Sequence, residues 1–346
     1  VIDGEVISFV EEERLLRVKH ANGYFPTRAI NHVLQAGGLR IDDIDRLVQA
    51  WDCPAYEDGQ MQAIYDEINS QYPTDDGDRA YQKRHLGQLS ARSQKGIIQQ
   101  NLKKYFGDLT FPPIEFVKHH LAHATMAYWQ SPFDDALVLT LDGSGEWITT
   151  AWWLARGGEL ELLKEVHIPH SLGWFYSAFT EYLGFLTYDG EYKVMGLAAY
   201  GREDPGLRDK VAKIIWYDGQ GGFASDPMLI SRGQRSHSYY YPDQLIEHMG
   251  QSPRGEIEEV EDWHKNLAYE VQNHLQEIVL QMTQYWVEKT QMRNLVMAGG
   301  VGLNVKMNGH LYASGAVDDI FVHPLCADAG VSIGAALTYE NAQRPL

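Results

Sequence analysis

Two closely spaced histidines, followed by a carboxylate at the end of an apolar strand, constrain the fold of this chain most tightly. His119 and His123 belong to the run Lys118-His-His-Leu-Ala-His-Ala. On a helix both imidazoles project from one face, close enough to bind one metal ion. Asp142 then ends the run Ala136-Leu-Val-Leu-Thr-Leu and opens a Gly/Ser turn at residues 143–145. The pattern predicts a metal-assisted phosphate site.

Each part of this pattern also has a structural interpretation. Histidine pairs at helical spacing are more often surface or core residues than ligands, and glycine turns after strands are common. The residue after the first histidine is His120, whereas zinc peptidases place a glutamate there as the general base. Peptidase chemistry is therefore disfavoured.

A second glycine turn lies near the end of the chain. A strand-like segment at 294–298 precedes Gly299-Gly300-Val-Gly, and a helix follows near Asn304. Unpaired backbone N–H groups and the helix dipole at such a junction favour phosphate. The glycine spacing differs from the Rossmann fingerprint. Further on, Asp328 opens the last helix, where it either caps that helix or supplies another metal ligand.

Composition and charge disfavour several classes of protein. A length of 346 residues suggests two lobes, and 44% hydrophobic residues support a packed core. No apolar run approaches the roughly 20 residues that span a bilayer. The net charge of −18 disfavours binding to nucleic acid. Cys53 and Cys326 form no CxxC pair, which argues against a thiolate zinc site and a disulfide framework and favours a cytoplasmic location.

The first part of the chain is expected to be mostly helical. Residues 1–10 have the pattern of a hairpin turn and its second strand, with the first strand absent. A helix over 27–36 should end at two glycines, and residues 44–51 have strand character. Residues 54–107 are polar and are predicted to be helical with a loop at 73–78. Such insertions either border a substrate cleft or are ordinary solvated segments.

The later part is expected to contain a sheet and a long helix. Residues 136–142, 149–154 and 160–168 should form an antiparallel meander, because each is bounded by glycine or polar turns. An apolar stripe at three- and four-residue steps predicts a helix over 258–289, on which His274 is expected to be structural. Further predicted elements are helices over 172–183, 207–215 and 328–339 and a strand at 320–324.

Six segments occur together in this chain: EEERLLRVKH from Glu11, HHLAHA from His119, LDGSGEW from Leu141, YKVMGLAAYG from Tyr192, AGGVGLNVKMN from Ala298 and HPLCADAGVSIGAAL from His323. Together they resemble the O-carbamoyltransferases of nodulation-factor and antibiotic biosynthesis. The similarity extends over nearly the whole chain in the expected order, which is far more specific than any single motif.

The resemblance implies a fold and a domain organisation. The family's larger domain is similar to the tRNA threonylcarbamoyl-transfer protein. It has an α/β fold of the actin/Hsp70/sugar-kinase type, with two RNase H-like lobes around a nucleotide cleft. The implied N-terminal lobe covers residues 1–135, lacks its first strand and contains the helical insertion at about 54–107. The C-terminal lobe covers 136–346, and the family's C-terminal adenylate-forming domain is absent, so that this domain would act in cis in a longer chain or in trans.

The resemblance also implies an enzyme, a carbamoyltransferase. In the family, the adenylate-forming domain makes carbamoyl-adenylate from ATP and carbamoyl phosphate. The larger domain moves the carbamoyl group to a hydroxyl of a sugar or natural product. The resemblance implies a metal ion, iron in the family, beside the adenylate phosphate. The ligands that match the family are His119, His123, Asp142 and Asp328. Two imidazoles and two carboxylates suit Fe(II), Mn(II), Ni(II) or Zn(II).

Further residues are assigned to the nucleotide and to proton transfer. The phosphate, adenosine and carbamoyl contacts that the resemblance implies are Lys19, Gly143, Ser144, Gly145, Lys193, Gly196, Gly299, Gly300 and Asn304. The acceptor hydroxyl needs a proton acceptor that works near neutral pH. By position the candidates are His120, Glu146 and Asp189, and nothing in the sequence selects among them.

Three other functions stay open. Transfer of threonylcarbamoyl to tRNA by the same fold calls for a basic surface, which the charge of −18 opposes. An ATPase or sugar kinase follows from fold analogy alone, and Mg²⁺ rarely takes imidazole ligands. The third is a nucleotide-binding module without activity. We expect a sugar or small-molecule acceptor, no nucleic acid or membrane partner, a homodimer as one assembly option, and no complete turnover of carbamoyl phosphate by this chain alone.

Overall fold

The computed structural model describes residues 1–230 and 241–343, with side chains up to residue 340. Its helices are α1 (Glu12–Leu16), α2 (Thr27–Gly37), α3 (Gln60–Gln71), α4 (Asp76–Leu89), α5 (Ala91–Phe106), α6 (His119–Trp129), α7 (Leu172–Tyr182), α8 (Glu191–Leu197), α9 (Pro205–Ala212), α10 (Asp243–Met249), α11 (Asp262–Thr290), α12 (Val305–Ala313) and α13 (Val331–Gln343). Its strands are β1 (Leu47–Gln49), β2 (Ile114–Phe116), β3 (Ala136–Leu141), β4 (Ile148–Arg156), β5 (Glu159–His167), β6 (Ile215–Tyr217), β7 (Phe223–Ser225), β8 (Asn294–Ala298) and β9 (Asp319–Val322).

The chain divides into two compact units. The first unit is Val1–Met126 together with Asp328–Leu346, and the second unit is Ala127–Ala327. Helix α13 therefore groups with the N-terminal residues, whereas the sequence placed it in a C-terminal lobe. The physical reason is its apolar face, because Ala335 packs with Val117 and Ala122 in one buried cluster. The division into lobes at residue 135 stays a prediction.

The first unit is built on a short parallel strand pair. β1 and β2 pair in parallel, with Val48 opposite Glu115.

Helix α2 matches its prediction and is capped by Gly38, whose φ of 66° is left-handed. Glycine adopts that conformation without the steric penalty that a side chain would bring.

The strand predicted at residues 1–10 is wrong, although its turn is present. Ile2 and Glu5 exchange two backbone hydrogen bonds of 2.9 Å around Asp3 and Gly4, both of which have positive φ. An extended segment needs a neighbouring strand to pair its backbone groups. Among residues 1–230 and 241–343, no strand pairs with residues 6–10.

The polar insertion is helical, as predicted, and consists of α3, α4 and α5. Helix α4 begins inside the predicted loop because Asp75 caps it, accepting the Asp78 backbone N–H at 2.8 Å. Ser90 caps α5 in the same way, accepting from Ser93 at 3.3 Å. Glu57 also accepts the Arg92 backbone N–H at 2.7 Å, which ties the start of α5 to the segment before α3.

The second unit contains a five-stranded sheet of order β5-β4-β3-β8-β9. The predicted meander is confirmed, since β3 to β5 are antiparallel, while β8 and β9 continue the sheet in parallel. Every residue of β3 is buried. Its apolar run is explained by this central position, where both faces of the strand are covered.

The predicted long helix is α11, which supplies much of the core of the second unit. Its buried apolar residues are Leu267, Ala268, Val271, Leu275, Ile278, Val279 and Met282. Their three- and four-residue spacing forms one apolar face, as the sequence indicated. His274 lies on this helix and its Nε2 donates to the Ile215 carbonyl at 2.6 Å, which supports a structural role.

The fold class is α/β, as predicted. The finer assignment of two RNase H-like lobes stays a prediction. Across the described ranges, no helix has both the length and the apolar character needed to cross a membrane.

Candidate metal centre

Helix α6 begins at the first predicted ligand and packs very closely against α13. A β-carbon on Gly334 of α13 would lie 1.8 Å from the Ala122 carbonyl oxygen. Any side chain at Gly334 would therefore push the two helices apart. The 3-10 turn Asp328–Gly330 directly precedes α13, so this close approach sets where Asp328 lies relative to α6.

The side chains of three predicted ligands come together in the first unit. His119 Nε2 and His123 Nε2 are 3.1 Å apart, and each lies 3.5 Å from Asp328 Oδ1. One ligand atom from each of the three lies within 4.8 Å of the other two. Both imidazoles are buried, whereas the Asp328 side chain is 74% exposed. The candidate site therefore consists of two buried imidazole nitrogens and one carboxylate oxygen on a solvent-exposed side chain.

The backbone of the neighbouring segment sets the orientation of His119. Its Nδ1 lies 3.3 Å from the Ala50 carbonyl oxygen. A carbonyl can only accept, so Nδ1 carries the proton and the Nε2 of a neutral ring presents a lone pair to His123. Metal-binding histidines commonly donate their second ring nitrogen in this way.

The donor set fits a divalent transition metal. Two neutral ring nitrogens at 3.1 Å repel unless a proton or a cation lies between them. Ligands held about 2.1 Å from one ion lie about 3.0–3.4 Å apart at octahedral or tetrahedral angles. The measured distance falls in this range, and mixed nitrogen and carboxylate donors suit such ions. A candidate metal-binding group is thus present, while the identity of the metal as Fe(II) stays a prediction.

Asp142 lies in the second unit, at the end of β3. Its Oδ1 accepts the Gly143 backbone N–H at 2.7 Å, and its own N–H donates to the Thr149 carbonyl at 3.0 Å. Ser171, the N-cap of α7, donates its hydroxyl to the Gly143 carbonyl at 2.7 Å. The predicted turn that includes Ser144 and Gly145 therefore starts against the beginning of α7. The role of Asp142 as a ligand stays a prediction.

The second glycine turn packs against the same strand end. Gly299 has a φ of +92°, and a β-carbon there would lie 2.1 Å from the Leu141 carbonyl oxygen. At Gly300 the nearest atom to a β-carbon would be Asp142 Oδ1, at 3.2 Å. Packing therefore demands glycine at the first position, and a β-carbon at the second would fit only if the Asp142 side chain shifted slightly. Burial, with the neighbouring Asp142, raises the pKa of Cys326 to about 11.

Asn304 has a structural role that the sequence did not reveal. Its Oδ1 caps α12 by accepting the Met307 backbone N–H at 3.0 Å. Its amide also exchanges two hydrogen bonds with Gln272, of 3.0 and 2.9 Å, and Tyr176 donates to the same glutamine at 2.7 Å. These contacts tie α7, α11 and α12 together. The predicted nucleotide contact of Asn304 stays a prediction.

The three candidate proton acceptors differ in burial. His120 is fully buried on α6, with its ring centroid 5.8 Å from that of His119. Glu146 is buried in the turn after β3. Asp189 is half-buried in the loop before α8. Their catalytic roles stay predictions.

The predicted phosphate-contacting lysines are both exposed. Lys19 lies in the 3-10 turn Lys19–Ala21, where His20 and Ala21 adopt positive φ. Lys193 lies on α8 with its Nζ 5.8 Å from the centre of the Phe185 ring. Gly196, on the same helix, is exposed, and a β-carbon there would meet nothing within 4 Å.

Three residues that matter to this site were missed by sequence reasoning. Ala50 accepts from His119, the Trp51 ring lies 5.4 Å from the His119 ring, and Gly334 permits the approach of α13. A glycine in a helical pattern often marks a close packing contact, so Gly334 carried a usable signal. The sequence offers no comparable signal for the other two.

The α/β fold and the ligand-like arrangement of two buried histidines and a carboxylate define this chain as a candidate metal-binding protein. Its sequence matches the family described as carbamoyltransferase N-terminus over residues 1–337. This chain belongs to that family, which confirms the resemblance found in its motifs.

Two relatives are similar along almost the whole chain. An uncharacterised protein of Synechocystis sp. is 34% identical over 98% of this chain and 54% of its own length. Nodulation protein NolNO of Sinorhizobium fredii is 34% identical over 99% of this chain and 45% of its own length. The chain thus spans about half the length of these relatives.

Among solved structures, component A of (R)-2-hydroxyglutaryl-CoA dehydratase from Acidaminococcus fermentans covers 99% of this chain and 93% of its own. The TM-score is 0.48 and the identity is 12%. A likeness at this level supports no argument about function.

Proposed function

We propose that this chain performs the transfer half of an O-carbamoyltransferase reaction. It would move a carbamoyl group from carbamoyl-adenylate to a hydroxyl of a sugar or natural product. The proposal is carried by the family match over residues 1–337, and the grouping of His119, His123 and Asp328 supports it. The similarity to a nodulation protein adds to this support.

His119, His123 and Asp328 would hold the metal, and we propose Fe(II) as the ion and Asp142 as a further ligand. Asp142 ends β3 with its carboxylate beside a glycine, as the sequence pattern required. When bound, the ion would neutralise charge on the AMP leaving group and polarise the adenylate phosphate. His119 would bind through Nε2, because its Nδ1 donates to Ala50.

The glycine turns would admit the nucleotide. Backbone without a side chain can approach a phosphate closely and donate its N–H groups. Gly143–Gly145 in the first turn and Gly300 in the second would do so, while Gly299 shapes the turn through its packing. Exposed Lys19 and Lys193 would supply positive charge to phosphate or carbamoyl oxygens.

Among the three candidate bases, exposure favours Asp189. An acceptor that arrives from solvent reaches a proton acceptor only if part of that side chain is accessible, and His120 and Glu146 are buried. The backbone around Asp189 is held by Glu191, which accepts the Tyr188 and Gly190 N–H groups at 2.9 and 3.2 Å. Asp189 would accept the proton of the acceptor hydroxyl during transfer.

Partners follow from the same proposal. The carbamoyl-adenylate would come from an adenylate-forming domain, in cis or in trans, that consumes ATP and carbamoyl phosphate. The acceptor would be a sugar or another small molecule. A net charge of −18 supports the exclusion of nucleic acid as a partner.

Ligand binding tests the proposal without knowledge of the acceptor. A non-hydrolysable sulfamoyl analogue of carbamoyl-adenylate and Mg²⁺-ATP would be titrated calorimetrically into metal-loaded and metal-free protein. We expect the analogue to bind at least ~10-fold more tightly to the loaded protein, and more tightly than ATP. Equal affinity for the two ligands, without a metal effect, would favour a plain nucleotide-binding module. His119→Ala should remove the metal effect, while His274→Gln serves as the control.

A further inference from the structure

The segment that follows β1 lies directly against a metal ligand. The Trp51 ring meets the His119 ring at a centroid distance of 5.4 Å and an interplanar angle of 61°. The residue before it, Ala50, accepts from His119 Nδ1. One side of the imidazole is therefore set by two consecutive residues of this segment.

The position of Trp51 is in turn fixed by a hydrogen bond to Tyr56. Its indole N–H donates to the Tyr56 hydroxyl at 3.2 Å, across the 3-10 turn Cys53–Tyr56. Cys53 donates its backbone N–H to the Trp51 carbonyl at 2.8 Å. Tyr56 is buried, so its hydroxyl is a fixed partner for the indole.

The helical insertion holds Tyr56 in turn. The Tyr56 ring packs edge-on at 86° against His85 of α4, with centroids 5.5 Å apart. The Tyr65 hydroxyl of α3 lies 2.5 Å from His85 Nδ1. All these residues belong to the first unit, as does His119. A continuous chain of contacts thus runs from the insertion to the metal ligand.

We propose that Trp51 and Tyr56 are positioning residues for His119, through which the helical insertion sets the affinity and geometry of the metal site. The inference rests on the metal site of the proposed function. The helical insertion α3 to α5 would then support the metal site. This role differs from the two offered by the sequence, a border of the substrate cleft or an ordinary solvated segment. Groups that orient a metal ligand typically change metal affinity by about 10- to 100-fold when they are removed.

Cobalt binding provides the test, because Co(II) has visible absorption bands that report on ligand geometry. Co(II) would be titrated into the parent chain and into Trp51→Phe and Tyr56→Phe. We expect the dissociation constant to rise about 10-fold or more in both variants, with a shift of the visible bands. Tyr56→Phe removes a single hydroxyl, so it keeps the test valid if Trp51→Phe does not fold.

Trp263→Phe is the matched control. Trp263 is half-buried like Trp51 and also meets a histidine edge-on, His264, at 5.5 Å. Its replacement should leave cobalt affinity within twofold. If Trp51→Phe and Tyr56→Phe both bind cobalt like the parent while His119→Ala has lost it, the inference is overturned and the metal site stands. If His119→Ala binds cobalt like the parent, the metal site of the proposed function fails, and the inference with it.

Discussion

The histidines of the two units differ in what their ring nitrogens face. In the second unit, His274 Nε2 donates to the Ile215 carbonyl at 2.6 Å. His264 Nδ1 accepts the Glu261 backbone N–H at 3.0 Å, inside the first turn of α11. In both cases the contact to the imidazole is a backbone group. His274 joins α11 to β6, and His264 caps the start of its own helix.

In the first unit, His119 uses only one nitrogen in this way. Its Nδ1 donates to Ala50, while its Nε2 faces His123 Nε2 at 3.1 Å. Burial does not separate the two kinds of histidine, because His119 and His264 are 3% and 6% exposed. The distinguishing feature is a pair of ring nitrogens that face each other with a carboxylate within reach.

The largest expected effect is loss of metal affinity in His123→Ala. Removing a direct ligand should raise the dissociation constant for Zn(II) or Co(II) at least about 1,000-fold, more than the loss of an orienting group. Competition with a chromophoric chelator would measure it. His264→Gln is the matched control and should stay within twofold. Equal losses in the two variants would erase the distinction between ligand and structural histidines.

Next in size is the effect of Gly299→Ala on stability, which tests packing in the second unit. The β-carbon would clash with the Leu141 carbonyl, and φ is positive. We expect the free energy of unfolding to fall by about 3 kcal/mol or more. Gly196→Ala, inside α8 with open space around it, should instead raise it by roughly 0.5–1 kcal/mol. Urea titrations that give the two variants the same stability would contradict this packing.

A smaller effect is expected in the pH dependence of stability. Burial lowers the pKa of His274, against the opposing hydrogen bond to Ile215, and burial also lowers the pKa of His170 and His264. The unfolded chain, with a histidine pKa of about 6.5, then binds more protons than the folded chain in mildly acidic solution. The stabilisation is complete above about pH 6.5 and is lost as pH falls toward the folded pKa.

Urea unfolding between pH 7 and pH 5 would measure this dependence. His274→Gln, which keeps a hydrogen-bond donor, should flatten the fall in stability. A variant with the parent's slope would show that His274 is not among the histidines kept neutral by burial.

The smallest expected change concerns the Cys326 thiol, whose raised pKa of about 11 leaves very little thiolate at pH 8. Iodoacetamide should label it only after unfolding, as followed by mass spectrometry. Labelling of the folded protein at the rate of the unfolded chain would show that the group beside Asp142 is open to solvent.

Much of the fold could be predicted because it is written in local patterns. Three local patterns each specify an element within a short stretch. They are the apolar steps of α11, the turns that bound β3 to β5 and the two glycines at the end of α2. Residues 1–10 and α13 were harder. A strand needs a partner elsewhere in the chain, and the grouping of α13 with the first unit depends on Gly334 and Ala335 meeting α6.

For the candidate site, too, the local features could be predicted from the sequence, whereas the long-range contacts could not. The spacing of His119 and His123 indicated a shared face of α6, and the structure brings Asp328 to it. The Ala50 contact, by contrast, joins residues 69 positions apart, so no local pattern reveals it. The amide pair of Asn304 likewise depends on Gln272, which lies on another helix.

Metal content tests the central claim most directly. Elemental mass spectrometry would be applied to the purified parent chain, to His119→Ala and Asp328→Ala, and to His264→Gln as a control. The account predicts about one equivalent of a transition metal in the parent and the control, and its loss in both ligand variants. No bound metal in the parent, or loss in only one of the two ligand variants, would contradict it.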